Sequence, residues 1–110
     1  MVSIGSVVMN VADIGRAKEF WGAALGYQSG EHNEAILLPR GGSGVALLFD
    51  ESDRTHLDLW VANAAEQHAE VERLLALGAT RVDWVYPDGA DFVVLADTEG
   101  NLFCVVDAGG

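Results

Sequence analysis

The sequence predicts an α+β fold made of two tandem strand-helix-strand-strand-strand modules, and three observations carry that expectation. The chain matches itself at a spacing of about 50 residues, with Val11-Ala12-Asp13 against Val61-Ala62-Asn63 and Leu25-Gly26 against Leu77-Gly78. Each match opens on a helix-capping residue and closes on a glycine, which brackets one helix per repeat. After each glycine come short apolar runs separated by turn residues, the pattern of strands. With 110 residues, half of them apolar, the chain has material for one domain with a core and no room for a second.

In the first module, residues 3–11 alternate around Val7, Met9 and Val11, as a strand does. Asp13 then offers a side-chain oxygen to the start of a helix that runs to Leu25, with Gly26 as its left-handed stop. Ile14, Ala17, Phe20, Trp21 and Ala24 recur at spacings of three and four and predict a stripe against a sheet, leaving Arg16, Lys18 and Glu19 to water. Tyr27–Ser29, Ala35–Leu38 and Val45–Phe49 read as strands, divided by the turn at 30–33 and the glycine-rich loop at 39–44.

The second module repeats the plan. Thr55–Val61 is a strand, and Asn63 with Glu66 three residues on resembles a capping box for a helix ending at Gly78. Val71, Leu74, Leu75 and Leu77 supply its buried stripe, and Glu66, Glu70, Glu72 and Arg73 its solvated side. Strands are expected at Arg81–Tyr86, Asp91–Ala96 and Leu102–Val106, with turns at Pro87-Asp88-Gly89 and Asp97-Thr98-Glu99-Gly100.

Composition excludes several function classes. A formal charge of −11 with no Lys/Arg cluster argues against nucleic acid and anionic membranes as partners, and leaves neutral or cationic molecules. Cys104 is the only cysteine, so neither an internal disulfide nor a multi-cysteine zinc site can form within one chain. No apolar run approaches the roughly 18 residues of a membrane span, and the N-terminus lacks a signal-peptide plan, so the expected location is the cytoplasm.

Several segments in order and spacing carry a family resemblance: Asn10-Val11-Ala12-Asp13, Phe20-Trp21, Leu25-Gly26-Tyr27, His56-Leu57-Asp58-Leu59-Trp60-Val61, Leu77-Gly78-Ala79, and Asp97-Thr98-Glu99-Gly100-Asn101-Leu102-Phe103. Together they resemble the vicinal oxygen chelate superfamily of glyoxalases, bleomycin-resistance proteins and extradiol dioxygenases. The resemblance implies one glyoxalase-like domain over residues 1–110, with modules at about 1–53 and 54–110. It further implies curved mixed sheets around a shared cleft, helices outside, and completion by dimerisation. A homodimer is expected in any case, because sheet edges and apolar strand faces in a chain this short need covering.

Strand parity sorts the faces without the resemblance. Leu57, Leu59 and Val61 are uniformly aliphatic and suit the helix side, which sets His56, Asp58 and Trp60 together on the other. The same split in the first strand places Val7, Met9 and Val11 under the helix and leaves Ser6, Val8 and Asn10 opposite, with Ser6 the repeat partner of His56. The resemblance turns Cys104 to the cleft, with Leu102 and Val106 beside it and Leu48 as its counterpart. The ligand-binding candidates are therefore Ser6, Val8, Asn10, Leu48, His56, Asp58, Trp60, Leu102 and Cys104. His56 and Asp58 are also the catalytic candidates as a proton-transfer pair, against the plainer reading of His56 as a hydrogen-bonded polar residue.

Metal enzymes of the superfamily place ligands on the first and last strand of each module, positions that here read Ser6, Leu48, His56 and Cys104. A neutral Ser and an aliphatic Leu leave too few donors, so no metal or other cofactor is expected; the alternative is a divalent metal, zinc held by His56 with Cys104 or an ion that recruits Asp58 or Asp50. Cys104 reads as a small apolar residue rather than a nucleophile, and no nucleophile elbow surrounds Ser6 to make a triad with His56 and Asp58. Trp60, Trp84, Tyr86 and Phe92 supply either flat ligand walls or core and dimer packing, and His32 and His68 are expected at the surface. The leading expectation is a small-molecule-binding protein with an aromatic-lined cleft. The alternatives are a metal-dependent lyase or dioxygenase, and a metal-free isomerase or lyase using His56 and Asp58.

Overall fold

The computed structural model describes residues 2–41 and 43–109. They form two compact units, residues 5–55 and residues 56–109 together with residues 2–4. Each unit is α+β and follows the strand-helix-strand-strand-strand plan. Among the described residues no helix is long and apolar enough to cross a membrane.

The first unit contains β1 (Ser3–Asn10), α1 (Ile14–Leu25), β2 (Gln28–Ser29), β3 (Ile36–Leu38) and β4 (Ala46–Asp50). Its strands lie in the order β2-β3-β4-β1, antiparallel except for β4 and β1, which run parallel. Asp13 caps α1 by accepting the Arg16 N–H at 2.9 Å, and Gly26 ends it at φ 69°, where a side chain would be strained. The helix rests on the face that carries Leu37: a methyl group at Gly22 would touch Leu37 Cδ2 at 3.8 Å. Leu37 pairs with Leu47, and Leu47 with Val7, which puts Ser6, Val8, Ala46 and Leu48 on the opposite face.

The expected α1 stripe is shifted: Phe20 and Ala24 lie outside it and Lys18, expected in water, lies within it. Phe20 is 63% exposed and Ala24 is exposed as well, while Ile14, Ala17, Lys18 and Trp21 are half-buried. Successive helical residues point about 100° apart, so Phe20 cannot share the inward direction of Trp21. It packs edge-on to the Trp21 ring instead, with centroids 5.2 Å apart.

The second unit contains β5 (His56–Val61), α2 (Ala64–Ala76), β6 (Thr80–Arg81), β7 (Phe92–Ala96) and β8 (Leu102–Asp107), with strands in the order β5-β8-β7-β6. Again the first and last strands of the module pair in parallel and the others are antiparallel. Val61, Val71, Leu95 and Val105 form its core, with Val2, Leu74, Leu75, Ala79, Val93 and Phe103 packed around them. Asn63 caps α2 through the Glu66 N–H at 2.8 Å, the contact that the capping pattern predicts.

Three expectations for this unit are corrected. The strand expected at Arg81–Tyr86 stops at Arg81. Antiparallel register would next set Val82 opposite Val94, but the Val94 N–H donates to the Tyr86 hydroxyl at 2.8 Å, so a side chain replaces the ladder. Leu77 is 67% exposed because it lies beyond the last turn of α2, as its C-cap. Glu70, expected in water, is only 8% exposed: Arg73 folds back on it with Nε at 2.9 Å and Nη2 at 2.7 Å, and these hydrogen bonds, ahead of any other influence, hold its carboxyl below the usual range.

Candidate functional site

Register fixes the two faces of the second unit's sheet. Leu59 pairs with Val105 and Leu57 with Phe103, on the side of the core beneath α2. Asp58 pairs with Cys104, Cys104 with Val94, and Trp60 with Val106, all on the other side. Parity along β5 adds His56 to that second face, and parity along β8 adds Leu102.

On this face three side chains converge. His56 Nε2 stands 3.4 Å from Asp58 Oδ1, although the backbone positions of residues two apart on a strand are separated by about 7 Å. The side chains are 12% and 16% exposed, so both are largely shielded without being sealed. A ligand atom from each of His56, Asp58 and Cys104 lies within 4.8 Å of the other two. One imidazole, one carboxylate and one thiol thus share a small volume on two adjacent, parallel strands.

Further along the same face the character changes to aromatic. Trp60 is 37% exposed, and Phe92 pairs with Val106, the residue that also pairs with Trp60. Tyr86 leans against Phe92 at 5.5 Å between ring centroids, and its hydroxyl is anchored by Val94 N–H. The face therefore joins a polar trio to an amphipathic aromatic group.

The turn before β8 is organised by Asp97. Asp97 Oδ1 accepts the Glu99 and Asn101 N–H groups at 2.9 and 2.8 Å, and Oδ2 accepts Asn101 Nδ2 at 3.0 Å. The Asn101 side chain first, and the backbone N–H groups after it, hold the Asp97 carboxyl below its ordinary value.

A family model of the glyoxalase-like domain matches residues 6–106. The chain belongs to the glyoxalase-like domain family. No curated protein sequence matches it. Among solved structures it is similar to one named as an NAD-dependent benzaldehyde dehydrogenase from Legionella pneumophila, with 17% identity, a TM-score of 0.63, and 92% of this chain and 96% of that one covered. It is also similar to methylmalonyl-CoA epimerase from Mycobacterium tuberculosis, with 21% identity, a TM-score of 0.58 and coverage of 94% and 85%. A third similar structure is a glyoxalase/bleomycin resistance protein/dioxygenase superfamily member from Vibrio splendidus 12B01, with 14% identity, a TM-score of 0.55 and coverage of 96% and 97%. At these identities the likeness is one of fold.

In this glyoxalase-like protein the remaining sequence candidates belong to the first unit. Ser6 and Val8 are 1% and 3% exposed, and Leu48 pairs with Val8 as Cys104 pairs with Asp58, which makes Leu48 and Cys104 equivalent positions in the repeat. Asn10 has structural work: its N–H donates to Thr55 Oγ1 at 3.0 Å and its Nδ2 to the Asp53 carbonyl at 2.6 Å, clamping the end of the turn at 50–55. Asp50 stabilises that turn through Ser52 and Asp53 at 2.7 to 2.9 Å. His32 and His68 are exposed.

Taking the four repeat-equivalent positions as the donor inventory counts His56 and Cys104 alone. The pairing of Asp58 with Cys104 adds a carboxylate next to them. The signal was present as strand parity, which already set His56 and Asp58 on one face; missing was the offset between β5 and β8.

Proposed function

We propose that this glyoxalase-like protein binds a small neutral or cationic organic molecule on the face of its second module that carries His56, Asp58, Cys104 and Trp60, and that it acts as a homodimer. The observation that carries this reading is the convergence of His56, Asp58 and Cys104 beside Trp60 on the sheet face away from α2. A largely shielded polar cluster costs stability, so its presence beside the partly exposed Trp60 ring supports a recognition role. The charge of −11 favours a cationic guest over an anionic one.

The test is a fluorescence and calorimetric titration with a panel of cationic, neutral and anionic aromatic compounds. Saturable binding of cationic or neutral members is expected, with recovery of unchanged compound. His56→Ala and Trp60→Ala should each weaken binding on the order of tenfold, as removal of an anchoring contact does. Binding confined to anionic compounds, or unaffected by both substitutions, overturns the proposal, and light scattering that gives a monomer overturns the dimer.

A second reading has its own observation. The His56–Asp58 approach of 3.4 Å is the geometry of an imidazole oriented by a carboxylate, as in a metal-free isomerase or lyase moving a proton. Product formation with a pH–rate profile that collapses in both His56→Gln and Asp58→Asn would favour this reading over sequestration.

A further inference from the structure

The donor set on this face supports more than guest binding. We infer that His56, Asp58 and Cys104 hold one zinc ion. The three atom types are the three that zinc accepts from proteins, at about 2.0–2.1 Å for imidazole nitrogen, 2.0–2.2 Å for carboxylate oxygen and 2.3 Å for thiolate sulfur. Tetrahedral geometry at those lengths puts donors roughly 3.3–3.7 Å apart. His56 Nε2 and Asp58 Oδ1 already stand at 3.4 Å, and no pair in the trio exceeds 4.8 Å. Closing the set requires donor atoms to move by about an ångström.

The chemistry is selective. A sulfur donor excludes magnesium and calcium, which take oxygen ligands, and a mixed nitrogen, oxygen and sulfur set of three suits zinc with a fourth position left for water or a guest. One carboxylate and one thiolate balance the two positive charges, so the loaded site is neutral within a chain of charge −11. Binding converts the Cys104 thiol to a zinc thiolate: the S–H bond gives its proton to solvent and the sulfur electron pair goes to the metal.

The site differs from the one that the superfamily resemblance implies. That one draws on Ser6, Leu48, His56 and Cys104 across both modules, whereas this one lies wholly in the second module and depends on Asp58. Zinc binding here rests on donor geometry, apart from the guest-binding proposal, and zinc without a guest or a guest without zinc would separate the two.

Cobalt(II) is the probe, since it takes the same geometry and reports sulfur ligation by a thiolate-to-cobalt charge-transfer absorption. Chelator-treated protein is titrated with cobalt and then with zinc, with circular dichroism to show that each variant is folded. The expected result is one equivalent of cobalt with intense tetrahedral visible bands and a sulfur band, displaced by zinc. Zinc should also slow the reaction of Cys104 with a thiol reagent. Cys104→Ser should remove the sulfur band, His56→Ala and Asp58→Asn should each weaken binding on the order of tenfold or more, and His68→Gln should change nothing. Absence of saturable binding, binding without a sulfur band, or binding that survives His56→Ala or Asp58→Asn at full strength overturns the inference.

Discussion

The two modules of this chain follow the same element order and the same parallel pairing of first and last strands, but they have put opposite chemistry on equivalent positions. Ser6, Val8 and Leu48 in the first module stand where His56, Asp58 and Cys104 stand in the second. Ser6 and Val8 are sealed from solvent at 1% and 3%, whereas the His56 and Asp58 side chains keep 12% and 16% of their surface. A strand pair sets where side chains point and how far apart they are, and it sets this equally for aliphatic packing and for a polar cluster. Duplication thus supplied two copies of one geometry, of which the second carries the donors.

The sharpest way to break the comparison is to exchange the chemistry. Val8→Asp places a carboxylate at a position 3% exposed and should cost roughly 3–5 kcal/mol in denaturant unfolding, because a buried charge without a partner is among the few large single-residue effects. The reciprocal Asp58→Val should cost less, on the order of 1–3 kcal/mol, since it leaves the shielded His56 imidazole without its carboxylate but adds a strand-favouring side chain. Equal losses in the two variants would show that the faces are equivalent after all.

Next in size is the core beneath α2. Leu95 has no exposed surface and packs with Val61, Val71 and Val105, so Leu95→Ala should lower stability by about 2–4 kcal/mol. Leu37→Ala, at 2% exposure in the first module, should fall in the same range, and a loss below about 1 kcal/mol for either would mark that module as the one that repacks. Capping is smaller and should be symmetrical. Asp13→Ala and Asn63→Ala each remove one side-chain acceptor, from the Arg16 and Glu66 N–H groups, and each should cost about 1 kcal/mol.

That symmetry was legible because capping is local: an Asp or Asn before a periodic apolar run determines where a helix starts, whatever packs on it. Face parity was legible for the same reason, since alternation along β5 needs no partner strand to be read. The illegible features depend on distant partners. The Arg81–Tyr86 strand failed because the Tyr86 hydroxyl takes the Val94 N–H, a contact invisible in the pattern of residues 81–86. Glu70 was assigned to water because its charge says so, yet Arg73 three residues on lets it be buried. The candidate site was half legible: His56 and Asp58 followed from parity, while the approach of Cys104 to Asp58 required the offset between β5 and β8, which the repeat alone does not set.

Acid should expose a last and smaller asymmetry, between the β7–β8 turn and its counterpart in the first module. Its β7–β8 turn hangs on Asp97, whose carboxyl is held below its ordinary value of 3.8 by Asn101 and the backbone N–H groups of the turn. A carboxyl with a depressed folded pKa contributes stability that is present above its unfolded pKa and is lost as pH falls through the folded one. Between those two values the parent should lose stability that Asp97→Asn, which has nothing to titrate, does not, so their denaturation midpoints should converge as acid is added. The loop between β3 and β4 in the first module has no acidic residue across positions 39–45, and it should show no such response. Because this turn leads directly into the strand that carries Cys104, the ratio of Cys104 labelling in the parent to that in Asp97→Asn, measured with a disulfide reagent that still reacts with thiols in acid, should rise across the same window. A ratio that stays flat across it would separate the turn from the site.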